Sequence, residues 1–176
     1  ILQQANFYAF NLTKTNNSKY RRMLLIRKDH IENLEKIIAD SRSWVVSIKS
    51  AGNILRGENY VYAFPEARLN KSITKKGEII ATENISLANS DSESIRKKIK
   101  LLLSSTLAEV KKRGSLSSEL KVNATQINNL GKNLVSRKKG NIQIIAKAIE
   151  NSQSADKVPI SLELQLLNRS FKTNAK

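Results

Sequence analysis

A single histidine, no cysteine and fifteen carboxylates leave this 176-residue chain few routes to catalysis. A serine or cysteine nucleophile needs an imidazole base, and His30 is the sole candidate. Its place in the first turn of a predicted helix reads as a surface position. Zinc would need several His or Cys ligands, and the sequence has one His and no Cys. Gly52-Asn53-Ile54-Leu55-Arg56-Gly57 has the two-glycine spacing of a phosphate loop, but Glu58 and Asn59 stand where Lys and Ser/Thr are required. No dinucleotide fingerprint occurs, so no cofactor and no metal site are expected. One catalytic pattern remains, the acid-x-Lys spacing of Glu109-Val110-Lys111 and Glu119-Leu120-Lys121. In metal-dependent nucleases such carboxylates hold Mg²⁺ while the Lys assists the attacking water. Both tripeptides fall on predicted helices, whereas that chemistry is usually presented on a strand.

Charge carries more information. Thirty-one Lys and Arg face fifteen Asp and Glu, a net +16. An excess of this size fits polyanionic partners: nucleic acid first, then an anionic membrane or an acidic assembly partner. The surplus is +5 over residues 1–60, +4 over 61–120 and +7 over 121–176, and it runs through segments with apolar periodicity. It is therefore expected on a folded surface and not on a detachable arm.

Three basic clusters close on glycine: Lys75-Lys76-Gly77, Lys111-Lys112-Arg113-Gly114 and Arg137-Lys138-Lys139-Gly140. Cations in a last helical turn followed by Gly are good helix ends by themselves. Read functionally, they join Lys19, Arg21, Arg22, Arg27 and Lys28 in a stripe that neutralises phosphates through counterion release, which needs clustered charge without precise geometry. Tyr8, Phe10, Tyr20, Tyr60 and Tyr62 lie on predicted strands near these charges and can stack exposed bases. Most are expected in the core, with Tyr20, between Lys19 and Arg21, the best exposed candidate.

The elements that would carry these residues follow from periodicity. Asn6–Lys14 and Lys19–Lys28 read as an N-terminal β-hairpin around Thr15-Asn16-Asn17-Ser18. Asp29-His30-Ile31-Glu32 has capping-box spacing and opens a helix running to Ala51, stopped by Gly52. Asn59–Phe64, ended by Pro65, and Gly77–Ala88 read as strands. Ser90-Asp91-Ser92-Glu93 opens a long helix with Ile95, Ile99, Leu102, Leu103, Thr106 and Val110 on one stripe. Ser117–Lys139 reads as a helix with Leu120, Ile127, Leu130 and Leu134 inward, despite Gly131, and Asn141–Asn151 as a short successor. Ile160, Leu162, Leu164 and Leu166 alternate in a closing strand that returns to the early sheet.

This pattern predicts one α+β domain over residues 1–176, a mostly antiparallel sheet covered by three to four helices, with a sub-boundary near 89–91. The longest apolar run, around Leu101 to Leu103, is flanked by lysines and far short of a membrane span. A soluble, cytoplasmic protein is the expectation, and Ile1 in place of Met suggests a removed upstream segment. The functional expectation is a basic, non-enzymatic protein binding the DNA or RNA phosphate backbone with little sequence specificity. The first alternative is a structural component of an envelope secretion machine, pilus or virion; the second is the Mg²⁺-dependent nuclease.

Overall fold

The computed structural model describes residues 1–15, 19–88, 91–137 and 139–166. Among them are four helices and three sheets of mostly antiparallel strands, an α+β architecture. The chain divides into two compact units, Ile1–Asn70 and Lys71–Lys176. Among the described residues, no helix is long and apolar enough to cross a membrane.

Unit 1 begins with a correction. The expected first strand is a helix, α1 (Leu2–Thr13), and among the described residues no hairpin forms. The aromatic residues Phe7, Tyr8 and Phe10 favour a strand by propensity, but Asn6, Ala9 and Thr13 fall on one buried helical stripe, and packing overrides propensity. The expected turn at Asn16, Asn17 and Ser18 lies outside the described residues. Strand β1 (Leu24–Ile26) pairs in parallel with β3 (Val61–Leu69), which pairs on its other side, antiparallel, with β2 (Trp44–Ser50).

Between β1 and β2 runs α2 (Lys28–Ile38), shorter than expected. Asp29 is no cap, since Arg27 takes the N-cap position and pairs with the Asp29 carboxylate instead. The helix stops before Trp44, where the Asp40 carboxylate gathers the Arg42 amide, the Arg42 guanidinium and the Trp44 indole N–H. That knot turns the chain, and the β-branched residues Val45, Val46 and Ile48 favour its continuation as a strand. Pro65 does not end β3. It lies beyond the last residue paired with β1, Ala63, on a flank where no donor is needed.

Unit 2 is a two-layer arrangement. A small β4 (Ser72–Thr74)–β8 (Ser152–Gln153) ribbon accompanies a four-stranded sheet, ordered β5 (Ile79–Ser86), β7 (Asn141–Ala148), β9 (Pro159–Leu166), β6 (Lys121–Val122). Helix α3 (Ser92–Lys112) packs on β5 and β7, and α4 (Ala124–Ser136) on β9. Helix α3 is capped by Asp91, whose carboxylate accepts from the Ser94 amide at 2.8 Å; the Ser90 half of the expected box lies outside the described residues. Ile95, Ile99, Leu102, Thr106 and Val110 are buried as the periodicity predicts.

Three further corrections fall here. Helix α4 starts only after Asn123, which caps the Thr125 and Gln126 amides. Residues 141–148 form the strand β7 and not a helix, with Ile142, Ile144, Ala146 and Ala148 buried on the helix-covered face. The closing strand β9 pairs with β6 and β7 of its own unit and does not return to the early strands. The sheet's opposite face is polar: Asn84 pairs across to Gln143, and Thr82 and Glu163 flank Ile145.

Candidate nucleic-acid interface

Strand β3 sorts its side chains by alternation. Val61 and Ala63 are buried in the unit 1 core, so Tyr62 and Phe64 must point the other way, with Tyr60 just ahead of the strand in the same phase. These three rings are exposed to 54%, 68% and 38%. They form an outward aromatic row on a sheet whose other face holds the core.

Cations border this row. Segment 21–23 runs alongside residues 59–61, because the Val61 amide donates to the Met23 carbonyl at 2.8 Å and the Arg21 guanidinium donates to Asn59 Oδ1 at 2.5 Å. Arg22, within that segment, and Lys19 are exposed and make no ion pair among the described residues. At the far end, Lys49 lies opposite Phe64, and Lys49 and Arg68 converge on Glu66. The hydrogen bond from Lys49, then that from Arg68, holds the Glu66 carboxyl below its ordinary range. Two cations on one carboxylate leave this end positive. A shallow cleft of about 340 Å³ beside Tyr60 and Tyr62 is lined by Ser50, Asn53, Glu58 and Asn59, whose polar groups can hydrogen-bond base edges.

The other expected residues of unit 1 are otherwise engaged. Arg27 pairs with Asp29 at 2.7 Å and Lys28 with Glu32 at 3.3 Å. The Tyr20 hydroxyl accepts from Asn6 at 3.0 Å, and its ring meets Phe10 edge-on at 5.1 Å, so Tyr20 braces α1 although half its surface remains exposed. Asn6, which sequence reasoning passed over, holds this junction. Its buried carbonyl accepts from the Met23 and Leu24 amides at 2.7 and 3.0 Å, while its amide also reaches the Arg21 carbonyl. Phe64, Lys49 and Arg68 were missed as well; the alternation Tyr60-x-Tyr62-x-Phe64 was the signal that could have found the first.

In unit 2 the structure brings two of the three basic clusters together. Lys75 and Lys76 form the turn between β4 and β5, with Gly77 at φ +85°. Lys111, Lys112 and Arg113 end α3 in a Schellman motif: the Ser115 amide donates to the Val110 carbonyl and the Gly114 amide to the Lys111 carbonyl, with Gly114 at φ +106°. Arg113 joins the clusters by binding Glu109 at 3.0 Å and Glu78 at 2.6 Å. The Glu78 carboxyl is lowered first by the Lys75 amide and then, against desolvation, by Arg113. Arg113 is thus neutralised, whereas Lys75, Lys76, Lys111 and Lys112 make no ion pair among the described residues.

The third cluster departs from the helix-end reading. Helix α4 stops at Ser136, Arg137 takes an extended C-cap, and Gly140 at φ +123° serves the bend into β7. Arg137 and Lys139 are exposed; Lys138 lies outside the described residues. Of the two acid-x-Lys pairs, Glu109 is held by Arg113, and Glu119, which lies ahead of β6 and not on a helix, is held by Lys157 at 2.7 Å. Among the described residues, no three metal-ligating side chains come together.

No family model matches the chain, and no solved structure matches it. It is similar to a protein of Nostoc sp. described as uncharacterised, 34% identical over 116 residues, which are 65% of this chain and 23% of that protein. The chain therefore spans less than a quarter of the length of that relative.

Proposed function

We propose that the protein is a non-enzymatic nucleic-acid-binding module that holds a single strand on the outer face of β3. The observation that carries this reading is the row Tyr60, Tyr62 and Phe64, three exposed rings in one phase of a strand. Every base has a π-face, so such a row supports binding without sequence preference. Arg22 and Lys19 at one end and the Lys49–Glu66–Arg68 group at the other supply positive potential for the phosphates. Lys75, Lys76, Lys111, Lys112, Arg137 and Lys139 add general attraction for a polyanion. A protein with such a ligand works where nucleic acid is handled, in the cytoplasm.

The test is equilibrium binding of the whole chain to fluorescent oligothymidylate, the matching duplex and anionic phospholipid vesicles over a salt series. Oligothymidylate should bind tightest, with log affinity falling against log salt at about −0.7 per phosphate neutralised. Equal binding of duplex and single strand would remove the stacking role, and preference for vesicles would replace the reading by a membrane-surface one.

A further inference from the structure

Unit 2 carries a surface chemically unlike the aromatic row of unit 1. Between α3 and α4 lies an open groove of about 630 Å³. Its floor is aliphatic, built by Ile99 and Leu103 of α3 and by Ile127 and Val135 of α4. Val135 remains 48% exposed. The rim is cationic. Arg96 and Lys100 on α3 and Lys132 on α4 make no ion pair among the described residues, whereas the neighbouring Lys97 and Lys98 are bound by Glu93 and Glu83. Helix α4 itself contains no carboxylate.

Gly131 supplies an independent observation. It lines the groove from the middle of α4, where glycine weakens a helix relative to alanine. A Cβ added there would meet nothing within 4 Å, so no neighbour in the chain requires the missing side chain. Bare backbone at this point widens the groove for an occupant outside the chain.

We propose that this groove docks an acidic amphipathic helix of a partner protein. Its apolar residues would enter between α3 and α4, and its carboxylates would meet Arg96, Lys100 and Lys132, the arrangement of helix-in-groove recognition. The stretch Ser92 to Leu103 is about three helical turns long, enough for one apolar repeat of such a partner. Charge complementarity selects the occupant. A second copy would bring like charge to the rim, since residues 71–176 carry twenty Lys and Arg against nine Asp and Glu. A nucleic acid would meet the cations but find no aromatic ring among the lining residues on which to stack.

The test uses the whole chain and a fluorescein-labelled synthetic helix with Leu at i, i+3, i+4 and i+7 flanked by Glu, against a scrambled peptide of the same composition. The amphipathic peptide should bind at least about tenfold tighter than the scramble, read by anisotropy. Lys100→Glu combined with Lys132→Glu should weaken it by about tenfold or more. Gly131→Leu should abolish binding by filling the groove while leaving the thermal midpoint no lower, which separates a blocked site from a misfolded one. Equal binding of the scramble, or unchanged binding by Gly131→Leu, overturns the proposal. So does oligothymidylate binding that is lost in Gly131→Leu, which would make the groove a nucleic-acid site. A dimer that Gly131→Leu dissociates would assign the groove to a second copy and overturns it too.

Discussion

Replacing Tyr62 by alanine is the sharpest perturbation of the proposed interface. The ring is 68% exposed, so its removal gives up little buried surface and the fold should survive, with a thermal midpoint close to that of the parent. If the ring stacks one base, its loss costs about 1–3 kcal/mol of binding, a factor of roughly 5 to 150 in Kd. The ring carries no charge, so the salt slope should stay the same while the whole line shifts. Tyr62→Phe keeps the π-face and should bind within about twofold of the parent. Arg22→Glu should do the opposite, flattening the slope by about one phosphate. The assay is fluorescence anisotropy with oligothymidylate at several salt concentrations, with Tyr8→Ala as control, because Tyr8 is 60% exposed on α1 on the core side of the sheet, beside Val61 and Ala63 and not with the outward rings. Unchanged affinity in Tyr62→Ala, or an equal loss in Tyr8→Ala, would refute the stacking argument.

Other expectations concern the scaffold. Asn6→Ala leaves the Met23 and Leu24 amides without their acceptor and should destabilise unit 1 by about 2–4 kcal/mol, measurable by chemical denaturation. Arg113→Ala strands Glu78 and Glu109 beside one another; with the pair partly exposed, a loss of about 1–3 kcal/mol is expected, with the midpoint lowered by several degrees. The Asp40 carboxyl is lowered from 3.8 to about 2 by its bonds from Arg42 and Trp44. A carboxylate with a depressed folded-state value stabilises fully above its unfolded value and loses that contribution as pH falls through the folded one. Asp40→Asn should therefore be less stable than the parent at neutral pH, and the gap should close between about pH 4 and pH 2 in acid-denaturation curves.

How much of this was legible depended on what each segment packs against. The α3 stripe, the β5 strand and the alternation of β9 could be read directly, because each has one buried face and a period matching its structure. The segment Asn141 to Ala148 could not. Ile142, Ile145 and Ala146 satisfy a helical period as well as Ile142, Ile144, Ala146 and Ala148 satisfy a strand, and pairing on both flanks with β5 and β9 decided the outcome. Helix α1 was hidden by aromatic residues that favour strands, and its Asn6 contacts lie 14 to 18 residues away along the chain. For the site, the basic clusters were visible as charge, but ion pairing was not. Nothing near Arg113 in sequence announces Glu78, 35 residues earlier, and the pairing of Lys49 with Glu66 needs the β2–β3 register. The outward row of β3 was within reach, since Val61 and Ala63 alternate with Tyr62 and Phe64, yet a core role for aromatic residues was the stronger prior in a chain with 5% of them.

Ultraviolet crosslinking of the whole chain to a single-stranded oligonucleotide, with the modified residues located by mass spectrometry, bears most directly on where the strand lies. Adducts on Tyr60, Tyr62 or Phe64, competed away by unlabelled oligothymidylate, are the predicted result. Competable adducts confined to other residues, with the β3 rings unmodified, would contradict the account.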